Sequence, residues 1–255
     1  MYQKNSTVVT TALLSTLCAI GWGLIFPLTR AIVTVYPPLT SVSLRFLIVT
    51  LAVLPFLRPA KGQLLKLFGI SLLMMTVPFA GLSIGMVYMD SGIVSLFLQL
   101  EPLILILFGA LLFKEKLHFR HLGGLAIALS GVYFVVHSPE INLGHPIGLI
   151  STLIAVVSYC VGAVLLRYIT LSSKQIMMWS MALALPQIIL VATLAEGNPL
   201  PVYAAMPWWV YGLSVVIGAI SLSANGMYSY LLKKHSFSEV APFMMLVPVF
   251  TVIFG

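Results

Sequence analysis

The chain has 255 residues, of which 60% are hydrophobic and only 7% are charged, and its formal net charge is +7. Soluble domains carry roughly 25% charged residues, because polar groups must cover a surface that faces water. The composition therefore excludes a soluble enzyme, a secreted disulfide scaffold and a disordered tail, and it predicts an all-α polytopic membrane protein. Cys18 and Cys160 lie within apolar runs, so no disulfide framework is expected.

Nine apolar segments follow one another along the chain, most with about the 20 residues that a helix needs to cross hydrocarbon. We number them spans 1 to 9, and in chain order they are Val8–Val33, Leu39–Leu57, Leu67–Tyr88, Gly92–Phe113, Leu122–Val136, Ile147–Leu166, Ile176–Leu194, Trp208–Leu232 and Val240–Gly255. Span 1 is too long for the apolar core of a signal peptide, and no small-residue cleavage site follows it. Span 9 ends without a polar flank, which predicts a chain truncated within its ninth helix.

The basic residues predict how the spans are oriented, since cytoplasmic loops of membrane proteins are enriched in Lys and Arg. If the N-terminus is cytoplasmic and the spans alternate, 11 of the 13 basic residues fall on the cytoplasmic side. These are Lys4, Arg58, Lys61, Lys66, Lys114, Lys116, Arg120, Arg167, Lys174, Lys233 and Lys234. The connections on the opposite side contain the acidic residues Asp90, Glu140 and Glu196. The positive net charge therefore indicates topology, and no nucleic-acid partner is expected.

Two segments of the first half recur in the second half in the same order. Residues Trp22–Arg30 of span 1 align with Tyr159–Arg167 of span 6, which lies 137 positions later. Residues Val94–Pro102 of span 4 align with Val240–Pro248 of span 9, which lies 146 positions later. Each match is weak alone, but the longer connection at 195–207 accounts for the difference between the two offsets. Together the matches predict a five-span unit that is used twice.

The repeat predicts the architecture. Because five is an odd number, the second unit enters the membrane from the opposite side, and the two five-helix repeats are inverted. We place the repeats at residues 8–137 and 146–255, within a ten-helix fold whose last helix is absent from this chain. Inverted repeats are typical of secondary transporters, because two such units can exchange inward-open and outward-open arrangements.

Two charged residues lie deep within spans and are the main candidates for binding or coupling. Glu101 lies nine residues after Gly92, about 13–14 Å into the membrane at 1.5 Å per residue. A charge at this depth costs roughly 2.5–3.5 kcal/mol on insertion scales, so we expect Glu101 to bind a substrate ammonium or to carry a coupling proton. Its alternative role is to pair with a buried base or with backbone amides beside Pro102. Arg45 of span 2 is expected either to bind a substrate carboxylate or to hold spans 2 and 4 together, through a buried ion pair or through contacts with backbone carbonyls.

Further polar and aromatic residues are candidates for the lining of a central cavity, although helix packing is the alternative for each of them. They are Trp22 and its repeat mate Tyr159, with Gln99, Tyr88, Asn225 and Tyr228. Prolines within spans free backbone carbonyls that a neighbour or an aqueous cavity must satisfy. Pro102 and Pro248 occupy equivalent positions of the repeat, so they predict helix breaks near the binding site. Pro27, Pro78, Pro186 and Pro242 also lie within spans and are expected to interrupt them.

The remaining motifs have simple explanations. Arg30 and Arg167 lie at membrane ends, where we expect them to extend to lipid headgroups. The run Gly81-Leu-Ser-Ile-Gly85 matches a serine-hydrolase pattern, but all five histidines fall at or outside the membrane ends. The same run is a Gly-xxx-Gly motif, which favours close helix packing. No metal-ligand spacing or phosphate-binding loop is found, so neither a metal nor a cofactor is expected.

Several short motifs together resemble the drug/metabolite transporter superfamily, in its EamA branch. They are Trp22-Gly23 with Pro27, Pro37-Pro38, Leu44-Arg45-Phe46, Leu100-Glu101-Pro102, Glu115-Lys116-Leu117 and the run Gly123–Gly131. The segment Val240–Pro248 is similar to the ninth-span segment of cysteine and O-acetylserine exporters. The resemblance implies ten helices in two EamA repeats, the bacterial plasma membrane, and export of small metabolites, often amino acids.

The sequence therefore predicts a secondary active transporter rather than an enzyme. It is expected to export a small polar metabolite, an amino acid or a derivative, by alternating access across the cytoplasmic membrane. The alternatives are a membrane-embedded enzyme acting on lipid-linked substrates, a carrier of another class such as nucleosides or drugs, and a channel subunit or non-transporting partner. Expected partners are a small-molecule substrate and the lipid bilayer, with a coupled proton and a second copy of the chain as further candidates.

Overall fold

Helices are the only regular elements in the part of the chain that the computed structural model describes. This part comprises residues 2–60, 62–114 and 145–255, together with the helical positions 123, 126, 127 and 130. Only the backbone is described for residues 2–10, Phe237, Ser238 and Ala241. Seven helical segments of this part are long and apolar enough to cross a membrane. The protein is therefore an all-helical, multi-span membrane protein, as its composition predicts.

The helices follow the predicted spans 1 to 4 and 6 to 8 to within a few residues. In the first half they are Tyr2–Val33 (span 1), Pro38–Val53 with a 3₁₀ turn Leu54–Phe56 (span 2), Leu64–Ser71, a π-helical turn Leu72–Thr76 and Val77–Tyr88 (span 3), and Ser91–Phe97 with Leu100–Phe113 (span 4). In the second half they are Pro146–Leu166 (span 6), Ser173–Glu196 (span 7), the connecting helix Pro199–Ala205, Trp208–Lys234 (span 8), and Phe237–Met244 with Val247–Phe254 (span 9).

The predicted span 5 lies outside the described residues apart from four helical positions, and so do Glu115-Lys116-Leu117 and most of Gly123–Gly131.

The ends of the helices lie at two opposite faces of the protein. The near face, where the chain begins, is formed by Phe56, Leu64, Phe113, Leu166 and Lys234, and the far face by Val33, Pro38, Tyr88, Pro146 and Glu196.

Span 2 is tied to span 7 at both faces. At the far face the Glu196 carboxylate accepts hydrogen bonds from the backbone N–H groups of Leu39 and Thr40, at 2.8 Å each. A carboxylate at the first turn of a helix satisfies free N–H groups and stabilises the positive end of the helix dipole. At the near face the Gln175 side chain accepts from the Arg58 N–H at 3.0 Å. The two spans therefore form one packed unit along their length.

Spans 4 and 9 are each interrupted once, at Leu98–Gln99 and at Met245–Leu246. Pro102 follows the first interruption and Pro248 the second. Proline has no N–H and cannot donate to the carbonyl four residues before it, so the helical hydrogen-bond ladder is open at both places. At the first interruption the backbone forms hydrogen bonds of the 3₁₀ type, between residues three positions apart. One of them is donated by the Glu101 N–H to the Leu98 carbonyl at 2.9 Å.

Proline has a different effect in the other spans. Pro27, Pro186 and Pro242 each lie inside a helical segment, so the expectation that they interrupt their spans was wrong. Pro78 follows the π-helical turn Leu72–Thr76 of span 3. There the Gln187 side chain of span 7 donates to the Phe68 carbonyl at 3.2 Å, which satisfies a group that the irregular turn exposes.

Glycines bring two pairs of helices into close contact. A Cβ at Gly81 of span 3 would lie 2.5 Å from the Ser151 carbonyl oxygen of span 6, and one at Gly85 would overlap the Thr152 hydroxyl. A Cβ at Gly21 of span 1 would lie 3.3 Å from Ala224 of span 8. Small residues let backbones approach when helices associate in lipid. The Gly81–Gly85 motif is therefore a packing motif between spans 3 and 6.

Arg30 and Arg167, which the sequence places at membrane ends, each bind a backbone carbonyl of the protein. Arg30 Nη1 donates to the Met89 carbonyl at 2.9 Å, and Arg167 Nη2 donates to the His235 carbonyl at 3.3 Å. Both acceptors lie just beyond the end of a neighbouring helix, where backbone carbonyls have no helical donor. An arginine at a membrane end can satisfy such a carbonyl without leaving the interface.

Candidate functional site

A cavity lies between the two interrupted helices, at the centre of the bundle. It is lined by spans 1, 2, 3, 4, 6, 8 and 9, and it includes residues at or directly beside both interruptions. Six of the eight predicted site residues line it, as does the predicted break residue Pro102. These are Trp22, Arg45, Gln99, Glu101, Tyr159 and Asn225. The cavity therefore contains both of the charged side chains that the sequence places deep within spans.

Glu101 lies at the wall of this cavity and is only 5% exposed. The Tyr228 hydroxyl donates to Glu101 Oε1 at 2.9 Å, and Tyr228 is itself fully buried. The Cys160 thiol lies 3.7 Å from the Glu101 backbone carbonyl, to which it donates. The sequence predicts that Tyr228 lines the cavity, whereas in the structure it is a direct hydrogen-bond partner of Glu101.

Three aromatic rings pack next to this carboxylate. Trp22 meets Tyr228 edge to face at a centroid distance of 4.8 Å, and it meets Tyr159 in the same way at 6.2 Å. The Tyr159 and Tyr228 rings are stacked at 6.3 Å. Spans 1, 6 and 8 supply one ring each, so the acid and the rings come from four different spans. Aromatic faces beside a carboxylate attract a cationic group through the ring quadrupole.

Arg45 is also 5% exposed and lines the cavity from span 2. Its Nη1 donates to the Thr29 hydroxyl at 3.4 Å, and its guanidinium carbon lies 4.7 Å from the ring centroid of Phe79. Within the described residues, no carboxylate lies within 4.0 Å of this guanidinium. The ion pair with Glu101, which was one of the two expectations for Arg45, is therefore not formed. The side chain turns instead toward Thr29 and the rings of Phe79 and Phe46, the second of which lies 5.9 Å from the guanidinium carbon.

Gln99 and Asn225 complete the polar lining. Gln99 is 7% exposed, and its side-chain Oε1 is buried without a hydrogen-bond partner among the described residues. Because an unsatisfied buried acceptor costs free energy, this oxygen is a natural acceptor for a bound molecule. Asn225 is 2% exposed and donates to the Ser221 carbonyl at 2.9 Å.

Tyr88 is the predicted site residue that lies away from the cavity. Its side chain is 42% exposed at the far face, and its ring lies 5.7 Å from that of His145. A Cβ at Gly148 would approach the Tyr88 Cβ to 2.8 Å, so this tyrosine packs against the start of span 6.

The catalytic alternatives receive no support from the described residues. Ser83 is 1% exposed and lines the cavity, but the described histidines His145 and His235 are not among the residues that line it. Among the described residues, no three His, Cys, Asp or Glu side chains lie close enough to hold a metal ion.

Some cavity residues were not identified from the sequence. Thr29 and Phe79, which contact Arg45, lie on apolar helices with no feature that distinguishes them. Their positions would have to be inferred from which face of each helix turns to Arg45, and the apolar pattern of a buried membrane helix does not reveal this.

Comparison with known proteins identifies relatives along most of the chain. Residues 9–137 match the family model described as "EamA-like transporter family". A protein of Escherichia coli named "Probable amino-acid metabolite efflux pump" is 26% identical over 247 residues, covering 92% of this chain and 82% of the relative. A protein of the same name from Salmonella typhimurium is 27% identical over 250 residues, with the same coverage. An "Uncharacterized transporter" of Archaeoglobus fulgidus is 26% identical over 252 residues, covering 92% and 84% of the two chains.

Proposed function

The chain belongs to the EamA-like transporter family, and we propose that it exports a small zwitterionic metabolite, an amino acid or a derivative, across the cytoplasmic membrane. One observation carries this proposal: a buried acid and a buried base, Glu101 and Arg45, line the same cavity without pairing with each other. Burying a charge without a partner is costly, so each of them is well suited to an opposite charge on a ligand. A molecule with both an ammonium and a carboxylate satisfies both residues.

The surroundings of each charge support this assignment of the two ends. Near Glu101, the unpaired Gln99 Oε1 can accept an N–H, and the rings of Trp22 and Tyr159 offer aromatic faces to a cation. The planar guanidinium of Arg45 matches the two oxygens of a carboxylate. The name of the Escherichia coli and Salmonella typhimurium relatives, which refers to amino-acid metabolites, supports the same substrate class.

Transport by alternating access is supported by structural features that recur in the first and second halves of the chain. The interruptions of spans 4 and 9 fall within one residue of the 146-position offset, and residues of both line the cavity. Span 3 packs on span 6, and span 8 packs on span 1. In a five-span repeat, span 3 corresponds to span 8 and span 6 corresponds to span 1, so the two packed pairs are equivalent. Two inverted five-helix repeats, at residues 8–137 and 146–255, therefore remain our proposal for the architecture. The excess of Lys and Arg at the near face supports a cytoplasmic N-terminus.

Counterflow in proteoliposomes tests the proposed substrate class. Vesicles are loaded with unlabelled cysteine or O-acetylserine, and labelled substrate is supplied outside at a low concentration. Transient accumulation is expected with a zwitterion inside. Cysteamine, which lacks the carboxylate, and 3-mercaptopropionate, which lacks the ammonium, should each support much less accumulation. Saturable counterflow with only the single-charge analogues would contradict the zwitterion assignment, and conductance without counterflow would indicate a channel.

Glu101 is also our candidate for proton coupling, because a proton on its carboxylate removes the negative charge that would bind a substrate ammonium. Competition between the two would exchange one proton for one substrate in each cycle. In Glu101→Gln the side chain cannot take up a proton, so transport by this variant should lose the pH dependence of the unmodified protein. If the variant moved substrate with an unchanged pH dependence, the coupling proposal would fail.

A further inference from the structure

Two arginines form matching contacts at opposite faces of the protein. At the far face, Arg30 at the end of span 1 donates to the Met89 carbonyl at 2.9 Å and pairs with Asp90 at 2.5 Å. Met89 and Asp90 form the junction between spans 3 and 4. We call this set of contacts the far clasp. It ties span 1 to the segment that leads from span 3 into the interrupted span 4.

The second contact lies at the near face and has the same construction. Arg167 at the end of span 6 donates to the carbonyl of His235, which follows span 8 and leads into the interrupted span 9. The guanidinium carbon of Arg167 lies 4.4 Å from the ring centroid of Phe113. We call this the near clasp. Lys233 reinforces it, because its Nζ donates to the carbonyls of Ile169 at 2.9 Å and Leu171 at 2.5 Å in the segment after span 6.

The two clasps are related by the repeat itself. Arg167 follows Arg30 by 137 positions, which is the offset that aligns span 6 with span 1. His235 follows Met89 by 146 positions, which is the offset that aligns span 9 with span 4. Both the donor and the acceptor therefore correspond, although methionine and histidine share no chemistry, because each supplies only its backbone carbonyl. A hydrogen bond that recurs at both offsets is an observation independent of the sequence alignment.

The clasped spans also bound the cavity. Spans 1, 3 and 4, which meet at the far clasp, and spans 6, 8 and 9, which meet at the near clasp, all contribute to its lining. For a ligand to leave toward one face, the spans at that face must separate. Both clasps are formed in this structure, one at each face, and each joins spans that line the cavity.

We propose that Arg30 and Arg167 are gating residues of the transport cycle, each closing one end of the cavity through its carbonyl contact. The far clasp breaks when the cavity opens to the far face, and the near clasp breaks when it opens to the near face. This inference rests on the proposed alternating-access function, but not on the identity of the substrate.

Accessibility labelling tests the proposal without requiring transport. Cys18→Ala and Cys160→Ser remove the native thiols. Met244→Cys then provides a reporter thiol on the cavity wall, at a position where the native methionine is only 3% exposed. A membrane-impermeant maleimide is applied to either face of oriented vesicles, and an N-terminal protease tag identifies the near face. Arg30→Gln should raise the rate of labelling from the far face, and Arg167→Gln the rate from the near face, each by roughly tenfold as expected for loss of a hydrogen bond to a charged group.

The controls separate gating from misfolding and from a wrong substrate. Arg58→Gln removes an exposed arginine at the near face and should change neither rate. Size-exclusion chromatography identifies any variant that fails to fold, and Arg30→Lys, which retains a donor and the charge, should restore most of the far-face protection. Equal increases at both faces from one variant, or no increase from either folded variant, would overturn the proposal. Face-specific labelling in a protein that shows no amino-acid counterflow would retain the gates and reject the substrate.

Discussion

The far clasp and the near clasp use the same type of side chain in different surroundings. At the far face, the carboxylate that pairs with Arg30 belongs to Asp90, whose side chain is 73% exposed. At the near face, Arg167 lies over an aromatic ring, and Lys233 adds two carbonyl contacts. Exposed ion pairs contribute little and are screened by salt, whereas partly buried contacts of a cation with carbonyls and rings are screened less. The near end is therefore held more firmly, and we expect the cavity to open more readily toward the far face.

Removing the two Lys233 contacts is expected to have the largest effect on this difference. Lys233→Met retains the apolar stem but removes two charge-assisted hydrogen bonds, so near-face labelling of the Met244→Cys reporter should rise by about tenfold. Far-face labelling should stay within about twofold of its starting value, since the far clasp is untouched. Lys234→Met, at the exposed neighbouring position, is the matched control and should change neither rate. An increase at the far face alone would reverse the comparison.

Removing the ring beneath Arg167 should have a smaller effect. Phe113→Leu keeps an apolar side chain and the carbonyl contact but removes a cation–π interaction worth about 0.5–1 kcal/mol, so near-face labelling should rise about twofold to fivefold. Leu111→Val, at a position of the same helix that is 76% exposed, controls for altered packing against lipid. If the two variants were labelled alike, the ring would not contribute to closure.

The smallest effect is expected from the ion pair of the far clasp. Asp90→Asn removes an exposed ion pair but leaves the Arg30–Met89 hydrogen bond, so far-face labelling should rise by only about twofold. Raising the salt concentration from 0.1 M to 1 M should reproduce this change in the native sequence and add nothing in the variant, since the screening length falls to about 3 Å. A tenfold change in Asp90→Asn would show that the carboxylate, rather than the carbonyl contact, closes the far end.

The spans and the two deep charges could be predicted from the sequence because their signals are local. A run of about 20 apolar residues is sufficient to indicate a membrane helix, and a charge within such a run is conspicuous. Glu101 and Arg45 were identified in this way, and the structure brings both to one cavity. Tyr88 was grouped with them, but its position near a helix end places it at the far face. Apolar patterning does not show which side of a buried helix turns inward.

Contacts between residues that are distant in the sequence could not be predicted in the same way. Opposite charge suggested that Glu101 would pair with Arg45, whereas the acid accepts a hydrogen bond from Tyr228 and the guanidinium lies over Phe79. Which partners the two side chains contact depends on how each helix is rotated about its axis, and a single sequence does not show this rotation. The clasps were missed for a different reason: their acceptors are backbone carbonyls, which every residue type supplies. Only the recurrence of arginine at the repeat offset hints at them.

The zwitterion assignment of the cavity is tested most directly by crossing one variant with one substrate analogue. Counterflow of labelled cysteine and of labelled cysteamine is measured for the native sequence and for Arg45→Met, whose apolar side chain of similar length should be tolerated at this buried position. If Arg45 binds the substrate carboxylate, the variant should lose about tenfold to a hundredfold of its cysteine counterflow but less than about twofold of its cysteamine counterflow. An equal loss for both molecules, in a protein that still folds and inserts, would contradict the account.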